Sequence, residues 1–376
     1  MSSSARAELV KITSGDLLSS KAQTLVNTVN CVGIMGKGIA LAFKRRYPDM
    51  FKDYVRRCDR GEVQLGRPYV YSAPDHLIVN FPTKHHWRAV SRLEDIVAGL
   101  EYLQAHYREW GITSLAVPPL GCGNGQLEWG VVGPTLHRHL SQLGIPVELY
   151  APHDESEAAS QPLLETSDQP APSKERFVEA EWVAVVAILD RLERHQHHWP
   201  VGRIMFQKLV YFATQAGIPT GMQYEAASYG PYAAGLKRML ARLQNNGLAI
   251  ERQRGNMFEV RVGPTYCDAV AEFRDRMELW RPAVARTVDL MSRMNAQTAE
   301  VAASVHFSAR SLQQRHGHRP TALEVVDAVE KWKIRREPPV AREAIVQALV
   351  VLALRGWIDV QLDHEVEPLV EELIVG

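Results

Sequence analysis

No apolar run in this chain approaches the roughly 18 residues that a membrane-spanning helix needs. The opening segment, MSSSARAELVK, carries no hydrophobic core of a secretory signal. Cysteine is scarce: four in 376 residues, at Cys31, Cys58, Cys122 and Cys267, with no CxxC pair. That excludes a zinc ribbon and disfavours a disulfide framework. Net charge is absent as well, since 43 Lys and Arg balance 43 Asp and Glu, which argues against a charged-tail protein or a simple nucleic-acid coat. What is present is an ordinary globular composition, 46% apolar and 23% charged. The length fits two domains at about 150 residues each. A cytoplasmic, multi-domain protein is expected.

The charge is unevenly spread. Residues 1–150 hold 17 basic against 13 acidic side chains, a net of +4, whereas residues 151–175 hold one Lys against six acids, a net of −5. The remainder stands at +1. The middle stretch, APHDESEAASQPLLETSDQPAPSKE, is rich in Ala, Ser, Pro and acids and has no apolar period, so it reads as a flexible acidic linker. The expected division is a domain at 1–152, the linker at 153–175 and a second domain at 176–376. Neither side of the linker contains an internal repeat.

Before the linker, β-branched runs alternate with amphipathic stretches. ELVKIT, TLVNTVN, PYVYS, HLIVNF, SLAVPPL and VELY read as strands; GIALAFKRRY, SRLEDIVAGLEYLQAHYREW and WGVVGPTLHRHLSQL read as helices. Such alternation predicts an α/β fold, three layers (α/β/α) around a mostly parallel sheet. Ligands in such folds gather at the carboxyl ends of the strands. Two glycine-rich turns fall there: Cys31-Val-Gly33-Ile-Met-Gly36-Lys37-Gly38 after TLVNTVN, and Gly121-Cys122-Gly123-Asn124-Gly125 after SLAVPPL. Glycines let main-chain N–H groups come close to an anion, and a following helix N-terminus adds positive potential. Each loop alone is equally readable as a tight turn; together they could hold a diphosphate. The standard nucleotide motifs fail. Gly38, not Ser or Thr, follows Lys37, which disfavours a triphosphatase, and no G-x-G-x-x-G follows the first strand.

The set Gly15-Asp16-Leu17, VNTVN, GIMGKGIA and PLGCGNGQLEW resembles the macrodomain family, the ADP-ribose-binding fold. More narrowly, NTVNCVGIMGKGIALAFKRRYP with NFPTKHHWR is similar to the macrodomain of the DarG antitoxins, whose partner toxins, the DarT family, ADP-ribosylate thymidine in single-stranded DNA. The resemblance spans nearly all of residues 7–150. It implies that Asp16 accepts a hydrogen bond from the adenine amino group; Asp16 is also readable as a helix N-cap. It implies that Asn30 reaches the distal ribose, while Asn27 is either a second ligand contact or structural. The loop at 33–38, with Gly33, Met35, Gly36, Lys37 and Gly38, would wrap the diphosphate together with the loop at 121–125, with Gly121, Cys122, Gly123, Asn124 and Gly125. Ile12, Leu17, Ile39 and Pro119 complete the implied ADP-ribose-binding set.

The resemblance also singles out Lys84, in NFPTKHHWR just past HLIVNF. A lone loop lysine is usually solvated, yet DarG and the related terminal ADP-ribose glycohydrolases use a lysine at this place. There it could attack the anomeric carbon or polarise the leaving base. His85, His86 and Arg88 are expected to favour its neutral form by charge repulsion. One departure stands out: the terminal glycohydrolases carry an Asp in the GCG-containing loop where this chain has Gly125, so a carboxylate base is missing.

From Arg176 the pattern turns helical, with FVEAEWVAVVAILDRLE, GRIMFQKLVYFATQAG and YAAGLKRMLARLQNNG. LAIERQRGNMFEVRV reads as a small β-hairpin turning at Gly255-Asn256, so a mostly α-helical, winged-helix-like domain is expected. The near-neutral charge favours protein interaction over DNA binding. FQKLVYFATQAG and YEAASYGPYAAGLKRML resemble the SocA-like (Panacea) antitoxin domain, which implies binding and neutralising a toxin. HQHHW at 195–199 has no carboxylate or thiolate set beside it, so no metal is expected.

Taken with the resemblance, the expected function is an antitoxin that hydrolyses the N-glycosidic bond of ADP-ribosylated thymidine in single-stranded DNA. It needs no cofactor, ADP-ribose being ligand and product. The alternatives are a non-catalytic ADP-ribose reader and a hydrolase of protein-linked ADP-ribose.

Overall fold

The computed structural model describes residues 9–152, 177–195, 199–254, 257–334, 336 and 338–361. The expected acidic linker, the histidines at 197–198 and the Gly255-Asn256 turn lie outside the described residues. The chain divides into two compact units. The first comprises Met1–Glu179 with two later segments, Arg242–Leu248 and Gly263–Glu272; the second comprises Ala180–Ala241, Ala249–Val262 and Phe273–Gly376.

In the first unit six strands form one sheet: β1 (Val10–Thr13), β2 (Thr24–Asn30), β3 (Tyr69–Ser72), β4 (Leu77–Lys84), β5 (Leu115–Val117) and β6 (Val147–Tyr150). Their spatial order is β1-β6-β5-β2-β4-β3. Only β3 runs antiparallel to its neighbour. The helices are α1 (Gly38–Arg46), α2 (Pro48–Asp59), α3 (Leu93–His106) and α4 (Trp129–Ser141). The α/β reading from the sequence therefore holds.

The middle strands of the sheet are buried on both sides. All of β2 except half-buried Thr28 is out of water, as a central parallel strand requires. Leu25, Val29 and Ile78 share a cluster with Phe43, Met50 and Tyr54 of α1 and α2. On the other face α3 lies so close to β4 that a Cβ at Gly99 would clash with the edge of the Phe81 ring. Helix α2 is not among the elements the sequence pattern suggests; it opens on Pro48, whose fixed φ suits the first helical turn.

The second unit is mostly helical. It holds α5 (Ala180–Glu193), α6 (Arg203–Gln215), most of α7 (Leu236–Asn245), α9 (Arg274–Leu279), α10 (Arg281–Met291), α11 (Ala296–His316), α12 (Ala322–Lys333) and α13 (Arg342–Leu354), while α8 (Tyr266–Glu272) belongs to the first unit. The hairpin expected around 248–262 is present as β9 (Ala249–Arg254) paired with β10 (Met257–Val262). A second hairpin, β7 (Glu225–Ala227) with β8 (Gly230–Tyr232), was not visible in the pattern. Buried Glu300 on α11 accepts from Lys333 Nζ at 2.9 Å and from Arg336 Nε at 2.9 Å. Such a pair needs both partners, since a single buried charge would be costly.

No helix among the described residues is long and apolar enough to cross a membrane. Among the same residues no group of His, Cys, Asp and Glu could hold a metal ion.

Candidate active site

Strands β5, β2 and β4 are neighbours and run parallel, so their carboxyl ends share one edge of the sheet. Each glycine loop follows one of those ends, and Lys84 closes the third. The first glycine loop leaves β2 and enters α1 at Gly38; the second leaves β5 and reaches α4 at Trp129.

Lys84 does not lie in a loop past the strand, as the sequence suggested. It is the last residue of β4. Val29 pairs with Pro82, and Asn30 then pairs with Lys84, so Thr83 is the extra residue of a bulge. Bulges re-aim side chains and recur beside active sites. The Lys84 amine donates to the Asn124 main-chain oxygen at 3.1 Å, and a Cβ on Gly38 would lie 3.5 Å from Asn124 Nδ2. Asn124 of the second loop thus holds the lysine and lies where a side chain at Gly38 would meet it. Burial pushes the Lys84 pKa down. The cause is desolvation, and the repulsion from His85, His86 and Arg88 expected from the sequence is not part of it.

Asn30 folds the first loop. Its Nδ2 donates to the Ile34 carbonyl at 2.6 Å and its Oδ1 accepts from Val32 N at 3.0 Å. The Tyr54 hydroxyl of α2 donates to the Asn30 carbonyl at 2.9 Å. Asn27 is fully buried, in register with Asn80, and donates to Asn80 Oδ1 at 2.9 Å. This is its structural alternative, and it takes Asn27 out of solvent reach. Gly36, Lys37 and Gly38 are exposed. Lys37 precedes α1 in extended conformation with no side chain capping the helix, which leaves the first-turn N–H groups of α1 without a side-chain acceptor. Met35 and Leu17 are buried in the core, so only their main chains can face a ligand. Ile39 packs against that core half-buried.

At the other end of the edge, Asp16 Oδ1 accepts from Leu18 N at 3.0 Å and caps a short 3-10 turn. Asp16 is exposed, as is Ile12 on β1. Within the second loop Cys122 N donates to Pro119 O, Gln126 N to Gly123 O, and Leu127 N to Gly121 O, at 2.9–3.1 Å. Gly123 has φ +110, a conformation L residues rarely adopt, and is exposed. Gly125 differs: it is buried, and a Cβ there would overlap Gly121 O and Ser91 Oγ. In this conformation the loop leaves no room for a side chain at Gly125. The Ser91 contact is a site feature that sequence reasoning missed, as are the bulge at Thr83 and the Tyr54 bond to Asn30, and no local motif marks any of them.

A Macro domain model matches residues 26–135. The DNA ADP-ribosyl glycohydrolase of Thermus aquaticus is 35% identical over 308 residues, 80% of this chain and 83% of that protein. The chain belongs to the DNA ADP-ribosyl glycohydrolase family. As a member of that family it is a hydrolase. A Thermosipho africanus DNA ADP-ribosyl transferase–DNA ADP-ribosyl glycohydrolase fusion protein is 38% identical over 162 residues, 38% of this chain and 42% of that protein. The solved macrodomain of Mycobacterium tuberculosis DarG is 51% identical, covering 38% of this chain and 98% of that one, with a TM-score of 0.37. In this glycohydrolase the matched Macro segment contains Lys84 and both glycine loops.

Proposed function

We propose that the first unit removes ADP-ribose from thymine bases in single-stranded DNA. The observation that carries this reading is the bond from the Lys84 amine to Asn124 O, which holds a partly desolvated lysine against the second glycine loop. The loops at 33–38 and 121–125 grip the diphosphate, Asp16 receives the adenine amino group, and Asn30 stands at the distal ribose. The neutral Lys84 amine attacks the anomeric carbon as the bond to the base nitrogen breaks. The base leaves with the electron pair and takes up a proton. Water then cleaves the lysine adduct, releasing ADP-ribose and restoring the amine. The transition state has oxocarbenium character, and the lysine and water are the only reagents. With no room for a carboxylate at Gly125, no loop base takes part.

The second unit, in this reading, binds and neutralises a toxin that writes the mark, of the DarT kind. The Thermosipho relative supports it, since its name joins a DNA ADP-ribosyl transferase to the glycohydrolase in one chain. The SocA-like segments and the near-neutral charge of 176–376 fit protein contact better than DNA binding. Acting on DNA lesions sets the protein in the cytoplasm.

The two activities separate in cells. Sequestration is stoichiometric, whereas one enzyme molecule clears many lesions. In a toxin titration, Lys84→Ala cells should survive low toxin doses and fail at doses that wild-type cells withstand. Identical survival curves at every dose would remove hydrolysis from the account.

A further inference from the structure

The loop after Lys84 carries an aromatic side chain that the hydrolysis just described does not use. Trp87 keeps 42% of its surface exposed. A single exposed aromatic needs no explanation, but this one is not isolated. The Arg88 guanidinium lies 4.5 Å from its ring centroid, and the His86 ring lies 5.5 Å away at an interplanar angle of 32°. No carboxylate among the described residues pairs with Arg88. The loop is also strapped at both ends: Cys31 N donates to His85 O at 3.0 Å, and Ser91 N donates to Gly125 O at 2.8 Å. Each strap joins it to one of the two glycine loops.

We infer that Trp87 is a stacking platform for a base adjacent to the modified one, with Arg88 meeting a phosphate of the same single strand. The inference rests on the reading that the substrate is a DNA strand. Because cleavage occurs between the anomeric carbon and the base, the diphosphate lies toward the glycine loops and the strand lies beyond Lys84. Loop 85–90 is the next protein the strand meets, and three residues span at most about 11 Å. Exposed aromatics beside unpaired cations suit single strands, because every base has a π-face and every link has a phosphate. The guanidinium held over the indole combines both in one small surface.

The test compares two substrates with the full chain: ADP-ribosylated thymidine as a free nucleoside, and the same thymidine within a single-stranded oligonucleotide. Wild type should favour the oligonucleotide in kcat/KM. In Trp87→Ala the oligonucleotide-to-nucleoside ratio should fall about 5- to 150-fold, mostly through KM, and Trp87→Phe should retain most of it. A wild-type ratio near one, or a Trp87→Ala ratio equal to wild type, would overturn the inference while leaving hydrolysis intact. Release from neither substrate by wild type would overturn the parent reading, and the inference with it.

Discussion

Asn30 pairs with Lys84 across β2 and β4, one position further along than the register set by Asn27 and Asn80 would bring it. The unpaired residue is Thr83, buried, with its hydroxyl donating to Val29 O at 3.4 Å. Because side chains alternate along a strand, one inserted residue decides which way the next one points. The bulge therefore couples two roles: Asn30 shapes the first glycine loop, and Lys84 reaches Asn124 in the second.

Burial lowers the Lys84 pKa, and the proposed attack uses the neutral amine. A lowered pKa means the proton is lost at lower pH than from a free lysine, near 10.4. Log kcat/KM should therefore rise with pH and level off below that value. A limb at or above about 10.4, or no rising limb, would contradict a lysine nucleophile.

Gly125→Ala should disrupt the diphosphate grip. The added Cβ overlaps Gly121 O and Ser91 Oγ, and overpacking of this kind costs about 1–3 kcal/mol. Free ADP-ribose affinity by calorimetry should fall at least about 5-fold, with far-UV circular dichroism unchanged. Wild-type affinity would mean that the loop can open without consequence for the ligand.

In the second unit, burial pushes the His306 pKa down to about 3 from 6.5, and its ring lies 2.8 Å from the Tyr211 hydroxyl. Between those values the unfolded chain binds a proton that the folded one does not. Stability is therefore present above about pH 6.5 and is lost as the pH falls toward 3. His306→Gln should show a smaller drop in melting temperature than wild type between pH 7 and 4. Parallel curves would exclude His306 as the cause.

Much of the first unit could be read from the chain because its signals are local. The run TLVNTVN coincides with β2, and VELY with β6. Both glycine loops sit at strand ends, where a parallel sheet puts its ligand site. The end of β4 escaped: Pro82 breaks the apolar alternation after HLIVNF, yet the strand continues to Lys84 because the bulge absorbs the mismatch. The buried place of Asn27, the crowding at Gly125 and the desolvation of Lys84 arise from contacts between distant segments, which no spacing records. The β7–β8 hairpin escaped for another reason. Its strands have three residues each, too few to show an alternation.

The account stands most directly on one comparison: release of ADP-ribose from a modified single-stranded oligonucleotide by wild type and by Lys84→Ala, beside calorimetry of free ADP-ribose. Loss of turnover by at least about 100-fold, with affinity for free ADP-ribose within a few-fold of wild type, is the expected result. Turnover retained at the wild-type rate would contradict the catalytic assignment of Lys84 and place the hydrolysis on other residues of the first unit.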